Sequence, residues 1–345
     1  VKEWLGSRPE RCRQWWRWRY LPDFPRLRAA VPQIGDRAYS ATELEELQRC
    51  PFRHFVRYEM KLRAERTHYT AGQGRWLHAI LRRRQRQPEK PLEQILQEVV
   101  QQHPVDRPLG ERQLLIQQVE DMVQSVIERE ETIYTQFGLQ TLLTEAVFGP
   151  AVDEEEEAPE DAKPPLHMKL SDGRQMLICG RIDRVDVCPQ KNVAVLVDYK
   201  RDLSDRWWQS IQAGEDLQTV LYTAALRQVW KLTPAAVALD SALERKRYRL
   251  LFTDNLDKEL LHRLNRQLQE DYGTVQPVSR KRWRFIKRTA ARKIGELLDQ
   301  LLAGNISPTP GDHCSVCEYR GLCRVAIAQG TDLPVHDGES YPADP

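Results

Sequence analysis

The chain has 345 residues, enough for one large or two medium domains with a sizeable core. Its 52 Lys and Arg stand against 50 Asp and Glu, a formal net charge of +2, so any nucleic-acid surface has to come from how charge is distributed. No apolar run approaches the length of a membrane span and no signal-peptide pattern is present, so a soluble, cytoplasmic chain is expected.

Residues 1–38 form a basic and aromatic segment, in which Arg11-Cys-Arg-Gln-Trp-Trp-Arg-Trp-Arg-Tyr20 interleaves cations with rings. The chain starts at Val1, as if within a longer polypeptide, and an excised domain is the expectation. Residues 39–138 read as a helical region. Thr42 to Lys61 carries Leu44, Leu47, Phe52, Phe55 and Val56 at helical spacing, with Ser40 or Thr42 as N-cap and a break near Pro51. Helices follow at Gly74 to Gln87, Leu92 to Gln101 and Glu111 to Phe137. From 139 to 305 the texture changes to a mixed α/β pattern. Leu142 to Phe148 alternates, and the acidic stretch from Asp153 to Pro165 reads as a solvated hairpin excursion. Leu166 to Leu170, a turn at Ser171-Asp172-Gly173, Gln175 to Val187 and Val193 to Lys200 form a meander. Asp216 to Trp230 is a helix, Ala235 to Ser241 and Lys246 to Phe252 a strand pair, and Leu256 to Tyr272 and Thr289 to Leu302 closing helices. Residues 306–330 hold a cysteine segment and 331–345 a tail.

Side chains two apart on a strand share a face, so Asp198 and Lys200 deliver a carboxylate and an ammonium to one place. Asp183, on the neighbouring strand, adds a second carboxylate. Hard oxygen ligands beside a fixed positive group suit metal-assisted attack on a phosphodiester. Glu145 sits mid-strand among apolar residues, where an unpaired charge costs several kcal/mol, so it is expected to face that site. Gln218 and Tyr222 lie one helical turn apart and share a face. Cys314-x₂-Cys317-x₅-Cys323 offers three thiolates and lacks a local fourth, and by chemistry alone zinc is the usual occupant of such a set. Arg280-Lys281-Arg282-Trp283-Arg284 is a second segment in which cations and rings could meet phosphates and unpaired bases.

Gly180-Arg-Ile-Asp183, Asp198-Tyr-Lys200 and Gln218-Thr-Val-Leu-Tyr222 resemble the motifs of the PD-(D/E)XK nuclease superfamily, in its RecB-like branch. Tyr39-Ser-Ala-Thr-Glu-Leu, Arg49-Cys50-Pro51-Phe52 with Phe55, the Gly74-Arg-Trp-Leu-His78 helix and the cysteine tail are similar to iron-sulfur nuclease domains of the AddB type. The resemblance covers about Tyr39 to Cys323. It implies a restriction-endonuclease-like core, a mixed central sheet flanked by helices, with an N-terminal helical region and an iron-sulfur staple joining the two ends. It further implies that Asp183, Asp198, His78 and the carbonyl of Tyr199 hold Mg²⁺ or Mn²⁺, that Lys200, Gln218 and Tyr222 serve catalysis, and that Cys50 joins Cys314, Cys317 and Cys323 on a 4Fe-4S cluster; Glu145 is added to the catalytic set on its burial alone. The implied activity is exonucleolytic cleavage of single-stranded DNA ends in recombination and repair. The implied partner is an AddA-like helicase-nuclease subunit, or a helicase domain missing from this chain, in a nucleoid-associated setting. A standalone nuclease, similar to CRISPR-adaptation nucleases or exonuclease V, is the alternative, and a non-catalytic DNA-end-binding module the second.

Overall fold

The computed structural model describes residues 37–62, 69–105, 108–150, 161–170, 172–188, 193–201, 203, 206–243, 246–256, 262 and 275–323. The segment Arg11 to Tyr20, the acidic run Asp153 to Glu160 and nearly all of the expected helix from Leu256 to Tyr272 lie outside them. The described residues divide into two compact units, one from the ranges Ile34–Glu45 and Thr67–Glu296, the other from the ranges Glu46–Arg66 and Leu297–Pro345.

The first unit is built on a mixed sheet of β1 (Ala38–Ser40), β2 (Gln140–Phe148), β3 (Leu166–Lys169), β4 (Gln175–Cys188), β5 (Val193–Lys200), β6 (Pro234–Ser241), β7 (Lys246–Phe252) and β8 (Val275–Val278). β4 is the long strand that organises it. β3 and β1 pair with its first part, antiparallel and parallel, and β2 and β5 pair antiparallel with its second part. β5 then pairs parallel with β6, β6 antiparallel with β7, and β7 parallel with β8. Every residue of β6 is buried, as a central strand covered on both faces requires.

The helices are α1 (Ala41–Arg49), α2 (Pro51–His54), α3 (Tyr69–Arg86), α4 (Leu92–Gln102), α5 (Leu109–Phe137), α6 (Trp207–Ala213), α7 (Leu217–Gln228), α8 (Arg280–Leu302) and α9 (Arg320–Cys323). Ser40 caps α1, its hydroxyl accepting from the Glu43 amide at 3.1 Å. Trp76, Ile80, Ile95, Val99, Leu115 and Val123 of α3, α4 and α5 form one core with Val197, Tyr199 and Ala238 of the sheet. That packing turns the opposite side of α3, with His78 and Arg82 one turn apart, away from the core. α8 is longer than expected: it starts at Arg280, not Thr289, because Ser279 caps it through the Arg282 amide at 3.3 Å and Trp283 and Ile286 extend its buried stripe.

In the second unit Pro51 ends α1 and opens α2, and Phe55–Glu59 continues as a π-turn closed by Met60 N–H to the Phe55 carbonyl at 2.9 Å. Glu46 holds both Arg53 at 2.7 Å and Arg57 at 2.8 Å. Arg53 reaches Glu318 at 3.1 Å, and the Tyr319 hydroxyl donates to the Leu62 carbonyl at 2.6 Å, so segments distant in sequence form one body.

Candidate active site and metal centre

The β4–β5 ladder runs from Cys188–Val193 to Arg184–Val197 and stops just before Asp183 and Asp198. Beyond that point the Asp183 carboxylate takes the Tyr199 amide at 2.8 Å, replacing a ladder bond with a side-chain one. The strands part at the two aspartates, while β5 stays paired with β6 as far as Lys200. Asp198, Lys200 and Gln218 close a triangle: Lys200 Nζ meets Asp198 Oδ2 at 2.7 Å and donates to Gln218 Oε1 at 2.7 Å, and Gln218 Nε2 donates to Asp198 Oδ1 at 2.8 Å.

His78, from α3, brings Nδ1 to 3.4 Å from Asp183 Oδ2. Glu145 completes that corner, with ligand atoms of His78, Glu145 and Asp183 all within 4.8 Å of one another. Glu145 has φ of 49°, a left-handed conformation that costs a non-glycine residue about 1 kcal/mol or more and is concentrated at functional sites. Arg181 at 3.7 Å and Arg82 at 3.9 Å flank its carboxylate.

Electrostatics fit a cation at this corner. Burial alone would push the His78 imidazolium down, but the attraction and hydrogen bond of Asp183, with the charges of Asp198 and Glu145, lift it to about 9. Asp183 is held below the usual range: the charge and hydrogen bond of His78 and the Tyr199 amide outweigh burial, which acts the other way. Burial pushes Asp198 up to about 6 against the pull of Lys200. Burial, then Asp183, raises Glu145. Burial would lower Lys200, yet Asp198 raises it above the ordinary lysine range and keeps it charged. The converging carboxylates are balanced here by a protonated imidazole; a divalent ion would take the place of that proton, and the neutral imidazole with the carboxylate oxygens then suits Mg²⁺ or Mn²⁺.

Gln218 is placed by a doubly capped helix. Asp216 accepts from the Thr219 amide at 2.9 Å, while Glu45 Oε1 accepts from the amides of Leu217 at 2.8 Å and Gln218 at 3.0 Å. Three orphan amides of α7 are thus satisfied by carboxylates at the positive end of its dipole. Sequence reading missed Glu45; the available signal was a carboxylate between Leu44 and Leu47 on a core-packed helix. Tyr222, one turn on, lays its ring over Gly180, where a Cβ would stand 2.7 Å from Cε1, and this close approach accounts for the glycine of Gly-Arg-Ile-Asp.

Tyr199 faces the other side of β5. Its hydroxyl donates to Glu130 at 2.6 Å and accepts from Arg184 at 2.5 Å and Gln85 at 2.9 Å. Arg184, only 1% exposed, also pairs with Glu130 at 2.5 Å and Asp186 at 3.0 Å. This buried network, also unforeseen, fixes the strand end whose carbonyl belongs to the expected metal set.

The four expected cluster cysteines all fall in the second unit. Cys50, Cys317 and Cys323 pack with Phe52, Phe55, Val56 and Tyr319, and Cys314 lies in the short turn just before. No three of these sulfurs lie within 4.8 Å of one another among the described residues. Of the expected DNA-binding residues, Arg280, Lys281, Arg282 and Arg284 are exposed on α8. Trp283 corrects the expectation: it is buried, its ring 4.9 Å from that of Phe252, because it belongs to the packed stripe of the helix.

An aspartate within one strand, where its pairing with the next stops, and an Asp-x-Lys on that next strand are the signature of a class of nucleases. The chain belongs to the PD-(D/E)XK nuclease superfamily, whose family model matches residues 38–324. Its relatives include an ATP-dependent helicase/deoxyribonuclease subunit from Clostridium kluyveri, 22% identical over 352 residues that cover 83% of this chain and 30% of that protein. The protein of the same name from Desulfitobacterium hafniense is 31% identical over 223 residues, covering 55% and 16%, and that of Lysinibacillus sphaericus 28% over 207 residues, covering 53% and 17%. The chain thus spans less than a third of the length of these relatives. No helix of the described residues is long and apolar enough to cross a membrane.

Proposed function

We propose that this chain is a divalent-metal-dependent deoxyribonuclease domain that acts as an exonuclease on single-stranded DNA ends during helicase-coupled end processing and recombination. The observation that carries the reading is the adjacency of the Asp198–Lys200–Gln218 triangle to the His78–Glu145–Asp183 corner. In this reading Asp183, Asp198 and His78 hold the ion with the Tyr199 carbonyl, and Glu145 lies against the same corner. When bound, a divalent ion supplies a polarised phosphoryl oxygen and an acidified water. Lys200, kept charged by Asp198 and oriented by Gln218, meets negative charge that develops on the scissile phosphate. Tyr222 fixes α7 against β4.

The relatives' shared name, which joins a helicase to a deoxyribonuclease, supports DNA as substrate and an AddA-like helicase-nuclease as partner in the cytoplasm. A 4Fe-4S cluster on Cys50, Cys314, Cys317 and Cys323 completes the reading, supported by their shared unit and apolar shell.

End-labelled single-stranded and duplex DNA, incubated with the chain in Mg²⁺, Mn²⁺ or EDTA, tests the proposal. Stepwise shortening of the single strand that requires the ion, and is lost in Asp198→Ala and Lys200→Ala with DNA binding retained, is the expected result. Cleavage at the wild-type rate by Asp198→Ala overturns the site. Binding without any cleavage would make the chain an end-binding module.

A further inference from the structure

The outer face of α8 has no role in the chemistry above, and its composition works against helix stability. Lys281, Arg284, Lys287, Arg288 and Arg292 are exposed, and the first acidic residue of the helix is Glu296. Cations in the first turns oppose the helix dipole, each at a cost of about 0.3–1 kcal/mol, so helix formation does not account for Lys281 and Arg284, whereas Arg292, further along, pairs with Glu296 at 2.6 Å. Among them stands Phe285, 67% exposed, while Trp283, Ile286 and Ala290 fill the buried side. Lys281, Phe285, Arg288 and Arg292 follow one another three or four residues apart and therefore form a single stripe, with a cation about 4.5–6 Å along the axis on either side of the ring.

The positive field extends onto α7. Partial desolvation of its ammonium against the helix surface and then the charges of Arg227 and Arg284 push Lys287, exposed overall, below its ordinary range. α8 also packs on the turn that leads into α7: Gly214, at φ of 69°, would place a Cβ 3.3 Å from the Ala290 backbone. α7 carries Gln218, which holds Asp198 and Lys200.

Cations at this spacing match a phosphate backbone, and an exposed ring between them offers a platform to a base that is not already stacked in a duplex. We propose that the outer face of α8 is a track for single-stranded DNA, with Phe285 as the base-stacking platform and Lys281, Arg284, Arg288 and Arg292 as phosphate contacts, leading to the carboxylate-lysine site. It rests on the nuclease reading only for where the strand goes.

The test is fluorescence anisotropy of a labelled oligo(dT) with the whole chain in EDTA, so that cleavage plays no part. Phe285→Ala weakens oligo(dT) binding about tenfold, given stacking worth about 1–3 kcal/mol per base. Phe285→Leu is as weak, Phe285→Trp restores binding, and affinity for a blunt duplex stays within twofold throughout. Arg288→Ala reduces the slope of log affinity against log salt by about 0.7. Affinity of Phe285→Ala within twofold of wild type overturns the proposal, as does full rescue by leucine. So does a wild-type chain with no affinity for oligo(dT), the outcome expected of a face that docks a protein. Because the readout needs no hydrolysis, failure of the nuclease reading leaves it interpretable: cleavage is lost there, and binding here.

Discussion

Lys200 depends on its neighbours more than on its own chemistry. Burial works against its charge, which Asp198 and then Asp216 and Asp183 maintain, while Asp198 and Gln218, each at 2.7 Å, hold the ammonium in place. Gln218→Ala should therefore lower turnover of DNA by about one to two orders of magnitude while leaving DNA affinity within a few-fold, a split read from single-turnover and binding measurements. Equal losses in both would make Gln218 a substrate-binding group. Glu45 gives a second residue-scale prediction. Burial and Asp216 raise it from 4.5 to about 7, against the α7 amides and Lys200. The folded state then binds its proton more tightly than the unfolded chain, so stability falls as pH rises from about 4.5 to about 7, and the penalty is complete above that. Glu45→Gln keeps an acceptor for the Leu217 and Gln218 amides without the buried charge. Its thermal stability relative to wild type should rise between pH 5 and pH 8, on the order of 1–3 kcal/mol at the upper end. Melting curves that stay parallel across that range would remove the argument.

At the scale of elements, two contacts hold the catalytic strands. α7 is pressed on β4 through Tyr222 and Gly180 with no room for a methyl group. Gly180→Ala should cost about 1–3 kcal/mol in urea denaturation by overpacking and should reduce cleavage by displacing α7. Beneath β5, Arg184 is the centre of the Glu130, Asp186 and Tyr199 network. Arg184→Met strands two carboxylates in the core and should destabilise by about 3–5 kcal/mol, whereas Tyr199→Phe, which removes one hydroxyl, should cost about 1–3 kcal/mol. Similar losses from both would mean that the network acts as separate pairs.

For the whole molecule, the second unit draws on sequence from Glu46–Arg66 and from Leu297 onward, joined by Arg53–Glu318, Tyr319–Leu62 and the cysteine cluster. Were the proposed 4Fe-4S cluster bound there, a metal-sulfur staple across so long a loop would stabilise chiefly by restricting the unfolded chain. Anaerobically purified protein should be brown and contain iron and sulfide in similar amounts. Cys50→Ser should lower the melting temperature as much as Cys317→Ser and expose the segment from Cys314 to Cys323 to protease, while Cys12→Ser should do neither. Stoichiometric zinc in a colourless preparation would replace iron-sulfur by a zinc site.

What the sequence determined on its own is local. Period-two valines lead up to Asp198, so Asp198 and Lys200, two apart, fall on one face of β5 opposite to that of the valines, and Gln218 and Tyr222 share a helical face by spacing alone. Most helices and strands were legible for the same reason. The tertiary structure decided where strands stop pairing and what lies across from them. The parting of β4 and β5 at Asp183, the left-handed Glu145, the cap that Glu45 places on α7 and the Arg184 network all join residues far apart in the chain, and no periodicity records such contacts. The start of α8 at Arg280 escaped sequence reading because its cations disfavour a helix there locally, and the burial of Trp283 and Ile286 outweighs that cost only once a sheet is present to receive them.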